Sequence, residues 1–90
     1  MVNWEEYKEK SRKRKSLCSD ENLIRTFNKE VGCGGWVIAR MWHLHYLSHE
    51  IRRRNFNSDI IFDLDEKGNI LAMKLSKKVK LVDNKLEFID

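Results

Sequence analysis

The chain has 90 residues, one domain's worth, near the lower end of the size that folds without staples. Charged residues make up 36% and leave a formal net charge of +4, which points to nucleic acid, a ribonucleoprotein or an acidic protein surface as the partner, although such a charge also serves solubility alone. Two cysteines are too few for a disulfide framework, no stretch approaches membrane-spanning length, and no apolar run follows the charged N-terminus as a signal peptide requires. The expectation is therefore a single cytoplasmic domain over residues 1 to 90 with reduced thiols and no membrane partner.

Asn3 followed three residues later by Glu6 has the pattern of a capping box and predicts a first helix over residues 4 to 15. Trp4, Tyr7 and Leu17 are its only large apolar groups, so this helix has little to bury. Its segment KEKSRKRK is the densest basic run in the chain. Lys8, Arg12, Lys13, Arg14 and Lys15 form either a solvated helix face or an arm toward phosphate.

Ser19 or Asp20 caps a second helix that places Leu23, Ile24, Phe27 and Val31 on one face, with Gly32 positioned to end it. The run Gly32, Cys33, Gly34, Gly35 reads as a hinge. A glycine-rich turn ahead of a helix can also hold phosphate, but no Lys-Ser/Thr pair follows it and no strand precedes it, which favours the connector.

The stretch GGWVIARMWHLHYLSHEIRRRN predicts a long central helix over residues 35 to 54, apolar on nearly every side in its first half. Such a helix is expected to be covered all round, with Arg52, Arg53 and Arg54 left in solvent at its end. At about 100° per residue, Trp36, Val37, Met41, Leu44, Leu47 and Ile51 fall on one core stripe. A second face gathers Ile38, Trp42, His45 and His49 with Arg52 or Arg53. That mixture can stack bases and bind phosphates, form the centre of a protein interface, or pack under a neighbouring helix with its histidines at the rim. Arg40 projects into the core stripe and must snorkel or meet a carboxylate, for which Glu21, Glu30 and Asp63 are candidates.

His45 and His49 have the i, i+4 spacing of two metal ligands. Cys33 lies too far from them, because ten residues of helix rise separate His45 from the helix start by roughly 15 Å. No metal site and no cofactor are expected. A bridge between Cys18 and Cys33 is allowed by spacing and not required by it.

After Asn55 the periodicity becomes alternating. Ile60, Phe62 and Leu64 point one way, and Ile61, Asp63 and Asp65 the other. The turn DEKGN with Gly68 leads to a return strand within residues 70 to 76, and VKLV, Asp83-Asn84 and KLEFI form a second hairpin. The expected fold is α+β: two or three N-terminal helices, the long central one included, packed on a C-terminal antiparallel β-meander of three or four strands that covers one side of the central helix.

Nucleophile and nucleotide-loop motifs are lacking. Asp63 and Asp65 could act as paired carboxylates of a metal-dependent nuclease only with a third that the sequence does not place. The main expectation is a small non-enzymatic basic binding protein for nucleic acid or a ribonucleoprotein. Its contacts would come from the first helix, from Arg52, Arg53 and Arg54, and from Lys74, Lys77, Lys78 and Lys80, acting together only if the fold gathers them. The alternative is an inhibitor or regulator of phage or mobile-element type that binds a host nucleic-acid-processing enzyme. The acidic stretch at residues 59 to 66, beside basic segments, gives the two-signed charge that suits protein docking.

Overall fold

The computed structural model describes residues 3 to 35 and 37 to 89, so the placement of Trp36 in the core stripe lies outside the described residues. Helix α1 is Trp4–Ser16. Extended Asn3 starts it by accepting from the Glu6 N–H at 3.1 Å, while the Glu6 carboxylate, instead of closing the capping box, pairs with Lys10 at 2.8 Å. Helix α2 is Asp20–Glu30, capped by Ser19 through the Asn22 N–H at 3.2 Å. Helix α3 is Ile38–Arg53 and begins later than residue 35. Gly35 sits at φ +92° and Val37 is extended, so helical geometry cannot start before Ile38.

After α3 come a single 3-10 turn, Asp59–Ile61, and four strands: β1 Phe62–Leu64, β2 Ile70–Met73, β3 Val79–Val82 and β4 Lys85–Phe88. The α+β layout is the expected one. Its strands pair as two separate antiparallel hairpins, β1 with β2 and β3 with β4, where one continuous meander was anticipated. The second hairpin is fixed by Asp83 and Asn84, both at positive φ (50° and 64°), the two-residue turn whose twist matches its flanking strands.

Side chains and single backbone rungs connect these pieces. Asn57 donates its N–H to the Asn84 carbonyl at 2.9 Å and accepts from the Leu86 N–H at 2.8 Å, laying the chain that leaves α3 along β4. Asn28 of α2 clamps the edge of β3: its amide donates to the Val79 carbonyl at 2.9 Å and accepts from the Val79 N–H at 2.8 Å. A side chain thereby satisfies backbone groups that a neighbouring strand would otherwise pair.

The core is Leu23, Ile24 and Phe27 of α2, Leu47 and Ile51 of α3, Phe56, Ile61 and Phe62 from the following segment, and Val79 and Leu86 of the second hairpin. It gathers around the C-terminal half of α3. The expectation that the first half is covered all round is overturned, since Val37, Ile38 and Met41 remain 61%, 47% and 37% exposed. The cause is α1, which packs on that half with polar and aromatic groups and has no aliphatic stripe to offer. The strand reading is corrected too: the 3-10 turn buries Ile61 fully and leaves Ile60 half-buried, so alternation begins only at Phe62. Among the described residues no helix is long and apolar enough to cross a membrane.

Replacing Asn28 with Ala leaves both Val79 backbone groups without their partner. The expected cost is about 1–3 kcal/mol of unfolding free energy. Urea denaturation checks it, and a loss under about 0.5 kcal/mol, the range of an ordinary surface change, would show that water replaces the clamp.

Candidate binding groove between the first and third helices

Positions 7, 8, 11 and 15 of α1 recur at helical spacing and face α3. Tyr7 donates its hydroxyl to the Ala39 carbonyl at 3.0 Å, the Lys8 ammonium stands 4.0 Å from the centre of the Trp42 ring, and Ser11 and Lys15 are buried. On one side of this seam, Arg12 and Ser16 of α1 face His45, Tyr46, His49, Glu50 and Arg53 of α3 across an open groove of about 480 Å³.

The aromatic groups of α3 form a continuous tract. Trp42 and Tyr46 are stacked with ring centres 6.2 Å apart, His45 meets the edge of Tyr46 at 5.0 Å, and His45 and His49 lie 4.5 Å apart. Burial, and then the neighbouring His49, holds the His45 imidazole below its ordinary value, so at neutral pH it presents an uncharged ring. Tyr46 is the member that sequence reasoning missed. Its signal was the i, i+4 step from Trp42, which puts the two rings on one helix face.

The structure gathers Lys8, Arg12, Trp42, His45, His49 and Arg53 from the predicted site. The others lie elsewhere. Lys13 and Arg14 are exposed and do not line the groove, and Lys15 is buried with its ammonium 2.7 Å from the Ser11 hydroxyl, so the basic run is not a uniform solvated face. Lys77 and Lys78 lie between β2 and β3, outside the groove, where Lys77 stands 5.6 Å from the Phe88 ring centre. Lys74 pairs with Asp63 at 3.4 Å.

The arginine end of α3 is not free in solvent as anticipated. Arg52 pairs with Asp59 at 2.5 Å. Arg53 grips both oxygens of Glu50, at 3.0 and 2.5 Å, and is the most exposed of the three. Arg54 is half-buried and donates to Glu50 at 2.9 Å, to Asp20 at 2.7 Å, and to the carbonyls of Lys15 and Cys18 at 3.1 and 2.8 Å. These contacts answer the open carbonyls at the end of α1, a role that periodicity does not reveal. Arg40 finds Glu30 among its three candidates, at 3.1 Å, and the second Glu30 oxygen meets His43 Nε2 at 3.1 Å.

Both cysteines are free, each thiol donating to a carbonyl four residues back: Cys18 to Arg14 at 3.3 Å and Cys33 to Lys29 at 3.0 Å. Among the described residues no three His, Cys, Asp or Glu side chains gather where they could hold a metal ion. Asp65 lies outside β1 and organises its turn, accepting from the N–H groups of Lys67 and Asn69 at 2.9 and 2.8 Å, and it does not share a strand face with Asp63. Comparison with known protein families, with curated proteins and with solved structures found no match.

Hydrogen bonding from Arg53, against the opposing effect of burial, holds the Glu50 carboxyl below its ordinary value, with Arg54 adding to it. A carboxylate depressed in the folded state contributes stability that is present above its unfolded value of about 4.3 and lost as pH falls through its folded value. Glu50→Gln is therefore expected to be less stable than the parent at pH 7, with the gap closing toward pH 3. Denaturation midpoints at the two pH values check this, and equal midpoints at pH 7 would refute it.

Proposed function

We propose that the chain is a small non-enzymatic cytoplasmic binding protein whose α1–α3 groove takes single-stranded nucleic acid, free or within a ribonucleoprotein. The observation that carries this reading is the juxtaposition of the tract Trp42, Tyr46, His45 and His49 with the cations Lys8, Arg12 and Arg53 along one open seam. Unpaired bases present flat faces for stacking, and their phosphates pair with guanidinium and ammonium groups at the rim. Lys8 is held by Glu5, Arg12 by Glu9 and Arg53 by Glu50, so a phosphate must displace a carboxylate at each. The Arg12–Glu9 pair is exposed and worth about 0–1 kcal/mol, which leaves that exchange within reach of a phosphate, while buried Glu50 keeps Arg54 as a partner when Arg53 swings to a phosphate. The net charge of +4 favours the encounter.

One observation favours the second reading, a regulator of phage or mobile-element type acting on a nucleic-acid enzyme. Val37, Ile38 and Met41 are exposed side by side at the start of α3, as a protein-docking patch would be.

Fluorescence anisotropy with single-stranded and duplex RNA and DNA across a salt titration separates the two. The parent protein is expected to prefer single strands with a steep salt slope. Arg12→Gln with Arg53→Gln should flatten the slope by roughly 0.7 for each phosphate contact removed. Tyr46→Ala should weaken binding by about 1–3 kcal/mol and leave the slope unchanged. No binding at low salt, or binding indifferent to these substitutions, would overturn the nucleic-acid reading and direct the search to a protein captured through Val37, Ile38 and Met41.

A further inference from the structure

On the other flank of α1, a cavity of about 280 Å³ opens among the three helices, lined by Lys10, Ser11, Arg14 and Lys15 of α1, Thr26 of α2 and His43 of α3. It shares no lining residue with the groove. We propose that this cavity is a binding site for a phosphate-type oxyanion, with the buried Lys15 ammonium as its central ligand.

Lys15 is only 5% exposed, and among the described residues its ammonium has one hydrogen-bond partner, the neutral Ser11 hydroxyl. An ammonium carries three donors, and holding it in a desolvated place without a carboxylate is costly. No carboxylate lines the cavity. Lys10 pairs only with Glu6 on an exposed helix face, and Arg14 has no ion-pair partner among the described residues. The Nε2 of His43 is engaged by Glu30, which also neutralises Arg40. The cavity wall therefore carries Arg14 and Lys15 without an ion-pair partner among the described residues, with Lys10 paired to Glu6 at its edge and Glu30 acting on Lys15 only from beyond the lining.

The end of α1 would ordinarily oppose an anion, because helix C-termini expose carbonyl oxygens. Here the Arg54 guanidinium, its own charge met by Glu50 and Asp20, covers the carbonyls of Lys15 and Cys18. A tetrahedral oxyanion suits the remaining donors: Lys15 acts as a compact charge and Arg14 as a planar fork. Burial first, and the like charge of Arg14 second, push the Lys15 ammonium below its ordinary value, a strain that a bound anion relieves. The volume admits phosphate together with a small substituent, so either a free phosphate or a terminal phosphomonoester fits.

Isothermal titration with inorganic phosphate, at ionic strength held constant with chloride, tests the site. One saturable event per chain is expected. Lys15→Met, which keeps the aliphatic stem, should weaken it at least about tenfold, and Arg14→Gln should weaken it severalfold. Arg53→Gln in the separate groove should leave it unchanged, so failure of this site and failure of the groove are distinguishable. If Lys15→Met does not fold, Arg14→Gln decides, because its side chain is exposed and outside the core. Absence of a saturable event, or phosphate binding by Arg14→Gln equal to the parent's, would overturn the proposal. Displacement of phosphate by a 5′-phosphorylated oligonucleotide and not by its 5′-hydroxyl counterpart would place the anion at a nucleic-acid end. Displacement by neither identifies a free small anion.

Discussion

Arg54 is the contact on which the arrangement of the three helices depends. Four of its five N–H donors are used, on Glu50 of its own helix, on Asp20 in the first turn of α2, and on the carbonyls of Lys15 and Cys18 at the end of α1. One side chain therefore fixes two helix ends against a third helix. It does so where apolar packing is thin, because α1 brings no residue into the hydrophobic core. A lysine could not substitute, since three donors on a flexible stem cannot meet two carboxylates and two carbonyls set at fixed angles.

This use of Arg54 redistributes the positive charge of the surface. The arginine run that looks in the sequence like a solvated basic end is engaged by Glu50, Asp20 and Asp59, and the cations without such engagement lie largely on α1 and on the loops and edges of the hairpins. The cavity follows from that shift, since Arg14 and Lys15 have no ion-pair partner among the described residues, whereas the groove's Lys8, Arg12 and Arg53 are each held by a carboxylate. Position 12 of α1 faces one flank of the seam and positions 10 and 14 face the other, so one helix with little to bury supplies the charged wall of two separate sites.

What was legible in the sequence was local. Asn3 as a cap, Ser19 as one of two cap candidates, Asp83-Asn84 as a hairpin turn and the buried face of α2 all rest on residues a few positions apart or on a strong steric rule, whereas for Arg40 the need of a carboxylate was legible and the choice of Glu30 over Glu21 and Asp63 was not. What was not legible depends on distant pairs. Asn28 holding Val79, Arg54 holding the carbonyls of residues 15 and 18, and the split into two hairpins involve partners that periodicity does not connect. Lys15 shows the limit most clearly. In a run reading KEKSRKRK nothing marks one lysine as buried, because its surroundings include Thr26 of α2 and His43 of α3, which the run itself does not reveal.

The start of α3 carries the remaining constraint. It has no side-chain cap, follows a glycine at φ +92°, and is flanked by exposed Val37 and Ile38, so on local grounds its first turn is weak. Arg40 offsets this from within the helix, bonding Glu30 at the end of α2 and reaching the carbonyls of Cys33 and Gly35, each at 3.4 Å, across the hinge. Glu30 in turn holds His43 on the oxyanion cavity, and Tyr7 holds Ala39 from α1. The hinge, the cavity and the aromatic groove are thus referred to the same first two turns of α3. The polar ties of Arg40 and Tyr7 position Trp42 and Tyr46 on the seam, in a region where the hydrophobic core does not reach.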